Sequence, residues 1–188
     1  ASLFLFRFNF LLSTQLLWLN LITDSMPVLA LGMEKSDCDL MGRPPERAEK
    51  GLFSKRSIGV MLSSGVFIAS VTIAVFMISL NLWGNEAATT VTFMTISFME
   101  LLQAFNVRTE GSVFGKGALS NKMLLLTVAL GVALNVILCI SPLSSAFGLV
   151  ALGGAQWGLV AASSLSIIVL GEIYKIVFKL YIKKKRKK

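Results

Sequence analysis

The sequence predicts an all-α integral membrane protein, a bundle of five transmembrane helices. Three observations carry that expectation. The 188 residues are 55% hydrophobic, with a mean hydropathy of +0.75, against about 45–50% apolar in soluble domains. The apolar residues gather into five blocks, roughly 11–32, 57–83, 89–107, 122–141 and 156–181, each near the ~20 residues that cross a bilayer as a helix. The basic residues lie between those blocks or toward their ends and, Arg7 apart, collect in three segments.

The charge pattern fixes the expected topology. Of the 18 basic residues, all but Arg7 lie in the loop 33–56, around 108–122, or from Lys175 to the end. The connections near 84–88 and 142–155 contain none. Five spans put the three basic segments on one side, and an excess of Lys and Arg marks the cytoplasmic side. The C-terminus is therefore expected inside and the start of the chain outside. The tail YIKKKRKK would lie on the anionic inner leaflet, where each basic residue contributes about 1 kcal/mol. The opening ASLFLFRFNFLLSTQ has neither a basic n-region nor a small-residue cleavage site, so it is a poor signal peptide. A start outside without a preceding helix reads as a piece of a longer polypeptide. Nucleic acid is not an expected partner.

The first span carries the sharpest anomaly. Asn20, Thr23 and Asp24 stand at i, i+3 and i+4, which places them on one face of an α-helix. An aspartate at mid-span costs about 2.5–3.5 kcal/mol on the insertion scale, and such residues face a bundle interior or an ion path. Pro27 has no N–H for the Thr23 carbonyl, so the helix is expected to be broken or unwound near Thr23–Pro27. The result is a cluster of oxygen donors, which suit hard cations. The chain has no histidine, and Cys38 and Cys139 form no metal-binding pattern, so soft-metal chemistry is disfavoured.

The second span, 57–83, contains only Ser and Thr as polar groups over 58–80, and an ordinary lipid-facing helix is expected. Gly59 and Gly65 offer close helix packing. In the third, Glu100 is a second intramembrane acid. If Glu100 packs toward Asp24, two like charges repel, and a divalent cation or protons between them relieves the conflict. Gln103 and, in the fourth span, Asn135 read as interhelical hydrogen-bonding residues. Glu172 and Lys175 in the fifth read as a local i, i+3 ion pair. Asn81 and Glu86 are expected at the outer edge, in contact with water. The segment 108–121, with three glycines, is expected to be a flexible cytoplasmic loop.

At this point a resemblance becomes visible. QLLWLNLITDSMPVLALGME at 15–34, followed by RPP at 43–45, resembles the sixth transmembrane helix and following loop of P-type cation-transporting ATPases, most of all the sarcoplasmic-reticulum-type calcium pumps. The resemblance implies that Asn20, Thr23 and Asp24 are cation ligands, the aspartate being shared between two calcium sites. MELLQAFN at 99–106 is similar to the eighth helix, which gives Glu100 a ligand role. QWGLV at 156–160 and GEIYKIVFK at 171–179 look like the last helix. The implied identity is the C-terminal transmembrane domain, residues 1–188, comprising helices six to ten of a cation pump.

Two departures accompany it. Ser13 and Thr14 stand where the family usually has a proline, and the fourth and fifth helices, which supply further ligands, are absent. Also absent are the phosphorylated D-K-T-G segment, the nucleotide-binding domain and the T-G-E loop. ATP and magnesium therefore belong to domains outside these residues, and no ATPase chemistry is expected of the chain itself. Its implied partners are the remaining helices and cytoplasmic domains of the same pump, approached by the loop 33–56 through Arg43, Pro44 and Pro45. Asn20 with Glu100 favours the calcium subgroup. The expected location is a multi-pass position in a membrane, with a bacterial plasma membrane preferred. Read without the resemblance, the same Asp and Glu pair also fits a self-contained secondary carrier or channel, and a purely structural bundle is a third possibility.

Overall fold

A computed structural model describes residues 11–33, 55–108 and 121–185. Among them there are only helices, turns and short extended connections. The first span opens as α1 (Ser13–Trp18), passes through a π-helical segment (Leu19–Asp24) and continues as α2 (Ser25–Gly32). Then come α3 (Lys55–Trp83), α4 (Asn85–Arg108), α5 (Lys122–Ile140), a 3-10 helix (Pro142–Phe147) and α6 (Gly154–Lys185). Three helical stretches, Ile58–Trp83, Lys122–Ile140 and Gly154–Ile176, are each long and apolar enough to cross a membrane. The bundle is an integral membrane fold.

The central helix is α4. It packs against α3 and α6 along most of its length, and against α5, α2 and the π segment on its remaining sides. That position explains its composition. A helix enclosed by protein need not be greasy, so α4 carries Thr90, Thr92, Thr95 and Ser97, all buried. The peripheral α3 is built the other way round. Its Ser64, Thr72 and Ser79 are buried, while Leu62 and Val66 are 66% and 67% exposed. Polar groups in and aliphatic groups out is the arrangement that suits lipid, where an outward hydroxyl finds no partner and an outward leucine costs nothing. The lipid-facing helix expected at 57–83 has this form.

Gly84 alone joins α3 to α4, with φ of +81°. This left-handed conformation is open to glycine at no steric cost. Its N–H donates to the Leu80 carbonyl at 3.2 Å, and its own carbonyl accepts from Ala88 N–H at 3.0 Å, closing one helix and starting the next. At the head of α5, Asn121 Oδ1 accepts from Leu124 N–H at 2.9 Å, an N-cap that satisfies one of the orphan donors of the first turn.

Several local expectations can be placed. Gln103 Nε2 donates to Ser64 Oγ across α3 and α4 at 2.8 Å. Lys175 Nζ lies 3.6 Å from Glu172 Oε1. Asn81 and Glu86 are exposed. A Cβ on Gly59 would stand 3.0 Å from Tyr174 Oη, so that glycine does permit a close approach, whereas Gly65 faces open space. Cys139 is buried in the apolar core as a small filler. The loop residues Arg43, Pro44, Pro45 and Cys38, the segment 109–120 and the end of the basic tail lie outside the described residues.

The core divides into two apolar clusters. One, toward the Gly84 end, includes Leu19, Val91, Phe93 and Leu138. The other, toward the opposite end, includes Ala30, Leu101, Phe105 and Leu124. Along α4 the clusters are separated by Thr95, Ser97 and Glu100, and along the first span by Thr23. A polar layer is thus sandwiched between two greasy ones.

Candidate cation site

Thr23 and Glu100 occupy that polar layer. Thr23 is 1% exposed, and its Oγ1 has no hydrogen-bond partner. Glu100 is half-buried, and its Oε2 is sealed from solvent, again without a partner. Thr95 Oγ1, in the same layer of α4, is likewise unpartnered. Buried oxygens are nearly always paired in folded proteins, so three orphans in one layer call for an explanation. Asp24, the next residue after Thr23, is close enough to Glu100 for their charges to interact. The π segment packs directly against α4, and this is what brings the two acids into range. All three orphans are oxygens, the donor type for hard cations rather than soft ones.

The first span departs from α geometry, but not where Pro27 alone predicts. The expectation was a break or unwinding at Thr23–Pro27. Instead the π segment runs over Leu19–Asp24, and Ser25–Gly32, with Pro27 inside its first turn, is regular α-helix. Pro27 has no N–H for the Thr23 carbonyl of the preceding turn, so the disturbance falls on that turn and not on the residues after it. The irregularity is therefore pushed one turn toward the N-terminus. Ser25 Oγ donates to the Asn20 carbonyl at 3.0 Å, tying the end of the π segment to its beginning.

This geometry separates residues that α spacing would align. In an α-helix Thr23 stands about 60° from Asn20. The wider π turn, with its i→i+5 bonding, carries it further round. Thr23 is buried against the bundle, while Asn20 and Asp24 are exposed. Of the four candidate ligands, Thr23 and Glu100 turn into the bundle, while Asn20 and Asp24 lie on the exposed side of the first span. Among the described residues no ion pair is formed with Asp24, and no group of three or more His, Cys, Asp or Glu stands together. The oxygen set offered here is a partial one, since Ca²⁺ takes six to eight.

Sequence reading alone passes over Gln15 and Trp18, and it assigns Asn135 no partner. Gln15 is fully buried. It accepts from Leu12 N–H at 3.0 Å and donates to the Phe147 carbonyl at 2.9 Å. Trp18 Nε1 donates to Asn135 Oδ1 at 3.2 Å. These contacts join parts of the chain more than a hundred residues apart, and no local pattern announces them.

A family model described as "Cation transporting ATPase, C-terminus" matches residues 8–177. The chain belongs to that family. Similarity to individual proteins points the same way. The chain is 33% identical over 183 residues to a protein of Bacillus cereus named calcium-transporting ATPase 1, covering 87% of this chain and 20% of that one. It is 33% identical to the calcium-transporting ATPase of Bacillus subtilis, over 82% of this chain and 18% of the relative. A third relative, calcium-transporting ATPase 1 of Schizosaccharomyces pombe, is 33% identical over 93% of this chain and 20% of its own length. The chain thus spans about a fifth of the length of the curated relatives it matches. The π segment and Glu100 both lie within the residues that the family model matches.

Proposed function

We propose that this chain forms helices six to ten of an ATP-driven calcium pump and supplies part of its intramembrane ion site. The observation that carries the reading is the pair of unpartnered buried oxygens, Thr23 Oγ1 and Glu100 Oε2, in one layer with Asp24. A cation there satisfies both orphans and removes the repulsion between the acids. Thr23, Asp24 and Glu100 each contribute an oxygen, and Asn20 contributes from the exposed side of the same helix. The relatives named as calcium-transporting ATPases support calcium as the cargo.

The exposed face of the first span supports a role within a larger assembly. A carboxylate turned to lipid is costly, so the face bearing Asn20 and Asp24 is one that further helices of the pump cover while completing the coordination shell. Such helices also link the site to cytoplasmic domains that hold ATP and magnesium. The basic segments lie on the cytoplasmic side in this reading, with the tail against an anionic leaflet, and the relatives from Bacillus favour a bacterial plasma membrane.

The test is made in the full-length pump. Asp24→Asn is expected to abolish ion-stimulated phosphoenzyme formation from ATP. Glu100→Gln, which removes a single charge and leaves an amide oxygen, raises the calcium concentration for half-maximal phosphorylation without abolishing it. Normal calcium dependence in Asp24→Asn would remove the site assignment.

A further inference from the structure

The π segment and α4 carry the two acids, yet neither element alone determines how far apart those acids stand. One turn of α5, from Gly131 to Asn135, touches α4 at Leu101 and the first span at Trp18, the residue just before the π segment. At its upper end lies Asn135, fully buried. Its Nδ2 donates to the Gly131 carbonyl of its own helix at 2.8 Å, which fixes the plane of the amide and turns Oδ1 outward. That oxygen accepts from Trp18 Nε1 at 3.2 Å, and Trp18 immediately precedes the π segment. The indole is also held edge-on by Phe147, with ring centroids 5.5 Å apart and planes at 81°.

At the lower end of the same turn, Gly131 has no side chain because Leu101 occupies the space. A Cβ built on Gly131 would lie 2.7 Å from Leu101 Cδ2 and 3.1 Å from Cδ1. Leu101 follows Glu100 directly. Thus Trp18 is held by a hydrogen bond, Leu101 by close packing, and both by a stretch of α5 that offers no ligand itself. The amide of Asn135 and the bare backbone of Gly131 are joined by one hydrogen bond.

We propose that the Gly131–Asn135 turn is a spacer that sets the separation between Asp24 and Glu100, with Trp18, Asn135, Gly131 and Leu101 as positioning residues for ion binding. The proposal rests on the pump reading above. It assigns these residues a role in affinity rather than in folding alone. A π segment makes such a spacer necessary. Its looser turn permits rotation of Asp24 relative to the flanking α-helices, and a rigid reference at Trp18 confines that freedom to the ligand-bearing stretch. The Gln15 bond to the Phe147 carbonyl anchors the same end of the helix against translation along its axis.

The experiment uses the full-length pump and measures phosphoenzyme against free calcium. Two numbers are read separately: the calcium concentration at half-maximum and the maximal level per milligram of pump. Trp18→Phe removes the N–H donor and keeps an aromatic ring against Phe147. Asn135→Leu removes the acceptor. Each is expected to raise the half-maximal calcium concentration about three- to tenfold, the range of a single interhelical hydrogen bond, with the maximal level retained. The double variant should shift it no further than either single one, since both break the same bond. Gly131→Ala should produce a similar shift by pushing Leu101. Adding Leu101→Val, which lacks the two terminal methyls in the way, should restore affinity.

Unshifted calcium dependence in Trp18→Phe and Asn135→Leu, with the wild-type pump calcium-dependent, would overturn the spacer and leave the pump reading intact. Additive shifts in the double variant would overturn it too, as would a loss of maximal level at unchanged affinity, which marks folding. A wild-type pump with no calcium-stimulated phosphoenzyme removes the underlying reading, and the spacer falls with it.

Discussion

At the scale of single residues, the molecule separates two kinds of buried polar group. Gln103, Asn135 and Gln15 are paired across elements, as the membrane interior demands of amides. Thr23 Oγ1 and Glu100 Oε2 are not, nor are the hydroxyls of Thr72, Ser79, Thr92 and Thr95. The first kind locks helices together, and in the second Glu100 stands apart as the one carboxylate oxygen. This distinction predicts unequal responses to substitution. Ser64→Ala deprives the Gln103 amide of its acceptor and leaves the donor buried, which costs about 1–3 kcal/mol and should lower the thermal midpoint of the detergent-solubilised pump. Gln103→Met removes the demand itself and should cost less. A melting curve in which the two variants change places would show that the bond at 2.8 Å contributes nothing. Residue identity also told much of the site in advance, because Asp24 and Glu100 are expensive wherever a membrane surrounds them. Which neighbour turned inward was not legible. Thr23 is buried and Asn20 exposed through π winding, and a sequence read at 3.6 residues per turn aligns them.

Elements show a second division. The breaks in this fold are of two types, one conformational and one chemical. Gly84 reverses the chain in a single residue because its φ of +81° lies in the left-handed region, where a Cβ collides with the following carbonyl. Gly84→Ala faces open space, so its expected cost is conformational only, roughly 1–2 kcal/mol. The readout is a lower thermal midpoint with calcium affinity unchanged, and an unchanged midpoint would contradict the strained turn. The π segment is the chemical break. Pro27 withdraws one N–H from the Thr23 carbonyl, Ser25 Oγ supplies a local bond to the Asn20 carbonyl, and the helix re-forms as α from Ser25. The proline made an irregularity foreseeable. Its position one turn earlier follows from the carbonyl that Pro27 leaves unserved, which belongs to the preceding turn.

The whole molecule turns on which helix is enclosed. Since α4 is wrapped by its neighbours, it holds threonines and a glutamate, while α3 keeps its hydroxyls inward and its leucines outward. Placing a charge on the outward side should therefore matter far more than removing a hydroxyl from the inward one. Ile73→Asp, on the exposed side near the middle of the stretch 58–83, is expected to lower membrane insertion by about 2.5–3.5 kcal/mol, seen as a loss of membrane-integrated protein, while Thr72→Val inserts normally. Equal insertion of both would mean that α3 is covered by protein on its outer face. The proposed orientation has its own check at this scale. A cysteine introduced as Ser145→Cys, in the connection between α5 and α6, should react with a membrane-impermeant maleimide applied outside the cell. Reaction only after the cells are opened would invert the topology.

By itself the sequence determined that its apolar blocks form helices, three of them long and apolar enough to cross a membrane, and that two acids within the blocks require a reason. Those features depend on composition and on short repeats, and water and lipid sort them without reference to distant residues. Tertiary structure decided the rest: that α4 is the centre, that Thr23 rather than Asn20 faces it, and that a turn of α5 stands between Trp18 and Leu101. Each of these joins residues far apart in the chain, where the deciding quantity is a distance across helices that no local pattern encodes.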